Sequence, residues 1–304
     1  MKGIIMKILI VGDLHLRVRC PRKRTDENFM HTCLDKLHQI LDIAVEFGCD
    51  FIVQAGDFFD SPDPSKELIA EVIEHLRTSS CPVFVIHGQH DLAFHNKNAS
   101  RRSALRILEA ARCLTSLNTI PEGYGNTNLY GASFGQTPTP PKNTDVYNIL
   151  VAHTMVGNRP LWPGHDLTGP KAYMRKYPWF DLYVVGDYHY PFEETCKDKV
   201  MINAGAVLRL TSDKRDRTRH PKVVVYDTKT NEAEDIHLKV LPWETVFDLT
   251  EEETDKPQFD ELIDRLRKQG EIGVSFAENL ASYLEGRDVE EAVRDLLWEC
   301  LETK

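Results

Sequence analysis

Five short apolar runs in this chain each end on a carboxylate, an imidazole or an amide. Lys7-Ile-Leu-Ile-Val-Gly12 leads into Asp13-Leu14-His15, and Phe51-Ile-Val-Gln-Ala-Gly56 leads into Asp57. Pro82-Val-Phe-Val-Ile86 leads into His87-Gly88-Gln89-His90-Asp91. Val146-Tyr-Asn-Ile-Leu-Val-Ala152 ends on His153, and Asp181-Leu-Tyr-Val-Val-Gly186 leads into Asp187-Tyr188-His189. A single Asp after a strand is ordinarily a turn residue or a helix cap. Five such endings, none of them a cysteine, point instead to a shared hard or borderline divalent cation such as Mn²⁺, Fe²⁺ or Mg²⁺.

Those side chains need elements that bring them to one place. Each run is short, uncharged and partly β-branched between turn formers, which reads as a buried strand of a parallel sheet. Ligands of open α/β sheets gather at the carboxyl ends of such strands, where all five groups fall. Gly56 permits a tight turn before Asp57, and Asp57 is the expected pivot of the site.

In order, these residues resemble the motifs of the calcineurin-like metallophosphoesterases: Asp-x-His, Gly-Asp, Gly-Asn-His-Asp/Glu, a lone His and Gly-His-x-His. The resemblance runs from Asp13 to His189. Gly56-Asp-Phe-Phe-Asp-Ser-Pro62 and Asn203-Ala-Gly-Ala-Val-Leu-Arg-Leu210 look most like the SbcD-type (Mre-type) nucleases of DNA double-strand-break repair, phage versions included. It implies an α/β fold, a four-layer αββα sandwich, and two divalent metal ions, Mn²⁺ first with Mg²⁺ or Fe²⁺ as other fits. Asp13, His15, Asp57 and His189 would surround one ion, and Asp57, Gln89, His153 and Asp187 the other. A bridging carboxylate is needed because two close dications repel unless an anion lies between them. His90 stands at the general-acid position, with Asp91 expected to orient its ring. Gln89 replaces the usual Asn, and Asp187 the usual His; both still offer oxygen to a metal.

The implied function is exo- or endonuclease action on DNA in recombination and repair, by a homodimer working with an SbcC-type SMC-like ATPase. Two other readings stand beside it. One is a phosphatase or phosphodiesterase acting on small molecules or proteins; the other is a non-catalytic, partner-recruiting subunit, which the near-complete ligand set argues against. DNA contacts are expected from Arg17, Arg19, Arg22, Lys23 and Arg24 beside the first motif, and from Arg101 and Arg102 after the His90 loop. The basic turn Lys214 to Arg219 leans the same way. A short Lys/Arg run is also an ordinary solvated loop. Trp162, Tyr173, Tyr177 and Trp179, in the long segment Thr154 to Trp179, could stack bases or pack that segment onto the domain. His165 there is an isolated ligand candidate.

The net charge of −10 at first sight excludes nucleic acid. Residues 245–304 hold 17 acidic and 7 basic residues, however, and residues 1–244 hold 30 of each. The acidity belongs to the tail, so the catalytic part is not barred from DNA. The expected organisation is a metallophosphoesterase domain over 1–244 and an acidic, mainly helical region over 245–304, with Glu251 to Asp255 as linker and three amphipathic stripes between Phe259 and Leu297. No apolar run approaches the roughly 18 residues of a membrane span. Met1 to Met6 runs into the first strand without a cleavage region, so it does not read as a signal peptide. The 7 scattered cysteines suit a reducing cytoplasm. Thr25 or Asp26 is expected to cap a first helix that ends at Gly48, a second helix to run from Lys66 to Arg77, and a third to begin at Arg101.

Overall fold

In the computed structural model, which describes residues 5–117, 120–161, 165–212 and 214–248, the ligand-bearing runs become strands. The chain order is β1 (Lys7–Val11), α1 (Phe29–Glu46), β2 (Phe51–Gln54), α2 (Lys66–Leu76), β3 (Val83–Val85), α3 (Leu105–Ala110), β4 (Thr115–Ser116), β5 (Glu122–Tyr124), β6 (Thr127–Ala132) and β7 (Tyr147–His153). It continues through α4 (Pro170–Lys176), β8 (Leu182–Gly186), β9 (Phe192–Cys196), β10 (Lys199–Asn203), α5 (Lys214–Thr218), β11 (Lys222–Asp227), β12 (Glu232–His237) and α6 (Trp243–Val246). One sheet has the order β12-β11-β1-β2-β3-β4, the other β5-β6-β7-β8-β10-β9. Neighbours β1, β2, β3 and β4 are parallel, as are β6, β7, β8 and β10; antiparallel strands β11 and β12 extend the first run on one side, and β5 and β9 flank the second on both.

Alternation along the strands decides the layers. Ile8 and Ile10 of β1 meet Ile149, Val151, Leu182 and Val184 of the opposite sheet, while Leu9 and Val11 point outward to Leu37, Ile40 and Leu41 of α1. Leu68 and Val72 of α2 and Leu105 of α3 complete that outer layer. Tyr173 and Met174 of α4 cover the outside of the second sheet, against Leu150 and Tyr183. The result is the expected four-layer αββα sandwich. Parallel pairing of β1, β2 and β3, and of β7 and β8, aligns their carboxyl ends, which brings the five polar endings to one rim.

Several local expectations change. Asn28, not Thr25 or Asp26, caps α1, its side-chain oxygen accepting from the His31 N–H at 3.1 Å. Asp26 is engaged elsewhere, by Arg24 at 2.7 Å and Thr32 at 2.8 Å. Gly48, at φ +60°, does end the helix. A 3-10 turn occupies Lys97–Arg102, and α3 starts only at Leu105. Thr154 to Trp179 is not all loop, since α4 lies within it with Pro170 at its first turn. Tyr173 is buried, and Tyr177 and Trp179 pack against the same cluster. Those three rings therefore hold the segment on the domain and are not presented for stacking on bases; Trp162 lies outside the described residues.

The first compact unit ends at Asp248. Trp243, Val246 and Phe247 form a small buried cluster, and the Arg24 guanidinium lies between the rings of Phe29 and Phe247 at 5.0 and 5.2 Å. The expected linker and the three amphipathic stripes lie outside the described residues. No helix among the described residues is long and apolar enough to cross a membrane.

Candidate metal centre

The rim is built with little slack. His15, Asp57 and Asp187 have φ of 48°, 50° and 85°, a left-handed backbone that non-glycine residues adopt at a cost of about 1–3 kcal/mol each. Such conformations persist where the surroundings over-determine them. Gln54 does much of this: its amide donates to the carbonyls of Gly12 and Gly56 and accepts from the Gly56 N–H, clamping the first two ligand loops together. Gly88 lies so close to the pivot that a Cβ there would stand 2.0 Å from Asp57 Oδ1 and 2.3 Å from Asp57 N. Gly88→Ala is therefore expected to displace Asp57 and cost about 1–3 kcal/mol of stability. Thermal denaturation and metal titration of that variant check this, and wild-type values in both would remove the packing argument.

Asp57 is completely buried. Its Oδ1 accepts from the His90 N–H at 2.8 Å. Its Oδ2 has no hydrogen-bond partner, yet lies 3.4 Å from His153 Nε2 and 3.7 Å from His15 Nε2. Asp13 Oδ2 is 3.2 Å from His189 Nε2, which is itself 3.2 Å from His15 Nε2. Among the described residues, three groups have ligand atoms mutually within 4.8 Å: Asp13, His15 and His189; Asp13, Asp57 and His153; and His15, Asp57 and His90. Gln89 closes the remaining side, with Oε1 2.6 Å from His153 Nε2 and its NH₂ donating to Asp187 Oδ1 at 3.0 Å. All seven expected ligand positions thus converge on one pocket.

The charges explain why this arrangement calls for cations. Burial pushes Asp57 up, but the nearby His153 imidazole, with His15 and His90, outweighs it and holds the carboxyl at about 2. Burial pushes His153 down, and Asp57 and Asp13 reverse that, to about 10. Asp13 falls below its ordinary value against burial, through His189, His153 and His15. His15 rises against burial, through Asp60, Asp57 and Asp13. Burial raises Asp187, with His153 and Gln89 opposing. Without metal, protons on imidazoles neutralise the buried carboxylates; divalent ions do the same at the same nitrogens. An unpartnered buried carboxylate oxygen between imidazoles, in a donor set of oxygen and nitrogen, fits hard or borderline dications.

Neighbouring groups fix the donors. The Ala55 carbonyl stands 2.7 Å from His153 Nδ1, so Nδ1 carries hydrogen and Nε2 faces the pocket. Asp60, given no role in the sequence analysis, reaches His15 Nδ1 with Oδ1 at 3.4 Å and Arg17 Nη1 with Oδ2 at 2.8 Å. Its backbone carbonyl lies 3.3 Å from His90 Nδ1. Asp91 is not the group that orients His90, because its carboxylate accepts from the backbone N–H groups of Phe58, Phe59 and Gly88. It ties the second motif to the third, and burial together with the Asp57 charge pushes its carboxyl up to about 7.

The expected DNA contacts divide. Arg24 is interior, its side chain 6% exposed, paired with Asp26 and donating to the Arg209 carbonyl. Arg17 is held by Asp60 and by the Arg19 carbonyl. The enclosed Arg24 guanidinium is not placed to meet a phosphate backbone, whereas Arg17 stays partly exposed. Arg19, Arg22, Arg101 and Arg102 are exposed, and Lys23 is partly so. Arg219 of the basic turn is buried, bound to Asp216 and to the carbonyls of Ala206 and Leu208. His165 accepts from the Leu161 N–H and joins none of the three metal-competent groups.

Residues 6–191 match the profile of the calcineurin-like phosphoesterases, across all five motifs. The chain belongs to that family. That family uses a dinuclear divalent metal site, and the convergent groups above are this chain's candidate ligands for one. Among curated proteins, the chain is similar to the DNA double-strand break repair protein Mre11 of Halobacterium salinarum, 24% identical over 230 residues, covering 69% of this chain and 54% of that protein. The Mre11 of Sulfurisphaera tokodaii is 28% identical over 130 residues, 42% of this chain and 33% of that one. The chain thus spans about half or less of these relatives. The crystal structure of TT1561 of Thermus thermophilus superposes with a TM-score of 0.52 at 12% identity, covering 78% of this chain and 100% of that one, a likeness of fold.

Proposed function

We propose that this metallophosphoesterase is a nuclease that hydrolyses DNA phosphodiesters at broken ends, with Mn²⁺ as the working metal. The observation that carries hydrolysis is the buried, unpartnered Asp57 Oδ2 between the imidazoles of His15 and His153. What supports DNA as substrate is the similarity to Mre11 double-strand break repair proteins. Bound divalent ions supply an activated water and neutralise charge at phosphorus. The chain's own part is positioning: Ala55 and Asp60 present the Nε2 atoms of His153 and His15, and Asp57 holds its charge at low pH. His90, with Nδ1 toward the Asp60 carbonyl, keeps Nε2 to give a proton to the leaving sugar oxygen. A homodimer working in the cytoplasm with an SMC-like ATPase completes the proposal.

A phosphatase or phosphodiesterase on small esters is the second reading, favoured by the interior use of Arg24 and Arg219. Labelled duplex, single-stranded DNA and p-nitrophenyl esters, compared with Mn²⁺ and with Mg²⁺, separate the two. Faster turnover of DNA than of aryl ester, with Mn²⁺ preferred, is the expected result. Brisk hydrolysis of the ester with DNA left intact would transfer the assignment to the second reading.

A further inference from the structure

Next to the segment that carries His189 lies a concavity of about 690 Å³. Its wall includes Tyr188 and Tyr190, the residues flanking His189, together with Arg159, Arg215, His220 and Lys222. Tyr188 and Tyr190 line this cleft, while His189 between them lies 3.2 Å from Asp13 Oδ2 in the metal centre. Cations exceed anions there: Asp235 is the acidic lining residue, and it is taken by Lys222.

Two exposed arginines are held on rigid bases. Arg159 follows Gly157, where a Cβ would lie 2.6 Å from the Tyr188 ring, so the loop rests directly on that ring. The Tyr188 hydroxyl donates to the Arg159 carbonyl at 3.0 Å. Arg215 lies over the Tyr190 ring at 5.6 Å, on a turn fixed by Asp216, which accepts from the Leu210 and Thr211 N–H groups and pairs with Arg219. His220 and His237, also in the lining, stand ring to ring at 6.0 Å. An anionic ligand is what such a surface holds, and a volume of about 690 Å³ exceeds the needs of one inorganic phosphate.

We propose that this cleft is a strand-binding subsite, in which Arg159 and Arg215 hold backbone phosphates of a single nucleic-acid strand whose scissile linkage lies at the metal centre. The proposal rests on the nuclease reading and adds the place where the substrate is gripped. Phosphate contacts of this kind position a strand without reading its bases, so binding is salt-dependent and indifferent to sequence.

The test is fluorescence anisotropy of a labelled single-stranded oligonucleotide across a salt series, with p-nitrophenyl ester turnover measured on the same preparations of the full chain. In the Arg159→Ala/Arg215→Ala variant, affinity is expected to fall roughly tenfold and the log–log salt slope to flatten by about 1.4, the value for two lost contacts to a single strand. Ester turnover should be unchanged, because neither arginine touches the metal centre. Arg159→Lys/Arg215→Lys should restore most binding. Wild-type affinity and slope in the alanine variant overturn the subsite while leaving the nuclease reading intact, provided the wild type cleaves DNA. A parallel loss of ester turnover also overturns it, since the arginines would then act through the fold. A wild type that hydrolyses the ester but neither binds nor cuts DNA removes the nuclease reading and the subsite together.

Discussion

Asp57→Asn is expected to lower hydrolysis of every phosphoester, DNA and aryl ester alike, by on the order of a thousandfold or more. The carboxylate is wholly buried, and its Oδ2 faces His15 and His153 without a hydrogen bond of its own. An amide of the same shape can keep the contact to the His90 N–H through its oxygen. What it cannot keep is the negative charge that Asp57 brings to two of the three metal-competent groups. The loss should therefore be substrate-independent, accompanied by weaker metal binding in calorimetry and a near-native circular dichroism spectrum. Retention of two tightly bound ions with about a tenth of the wild-type rate would show that Asp13, which belongs to two of the three metal-competent groups, is the real pivot.

The contrast between Asp57 and its neighbours shows what the sequence can carry. A strand ending on a polar group is a local pattern, so the five strands were legible in the residues themselves, while the resemblance to the metallophosphoesterase motifs picked the seven convergent side chains out of their endings. Partners supplied by another loop were not. Asp91 follows His90 in sequence, which suggested that it serves that ring; the loop after Asp57 instead brings two backbone N–H groups to it from more than thirty positions away. Gln54 stands unremarked inside the second apolar run, and its value appears only when Gly12 and Gly56 lie on either side. Arg24 sits in a basic run that reads as surface, yet Phe29 and Phe247 close over it. The second carboxylate at Asp60, three residues after Asp57, was a readable signal whose use needed the positions of His15 and Arg17. Helix α4 was missed because seven residues give too little periodicity, although Pro170 marks its start.

His90→Ala is the variant whose effects should split by substrate. On DNA, where the departing sugar alkoxide needs a proton, turnover is expected to fall about 10²- to 10⁴-fold. On a p-nitrophenyl ester, whose leaving group departs without one, the loss should be much smaller. The geometry permits the role: the Asp60 carbonyl takes the hydrogen on Nδ1, and the backbone N–H of His90 is fixed on Asp57 Oδ1. It also supplies a competing role, since His90 forms a metal-competent group with His15 and Asp57. A ligand and a proton donor differ in what their removal spares. If His90 binds metal, both substrates slow equally and calorimetry records weaker or fewer ions; if it donates a proton, the ions stay and only the poor leaving group suffers. Equal losses on DNA and aryl ester would therefore take His90 out of the acid role, and the metal stoichiometry of the same variant would say whether coordination is what replaces it.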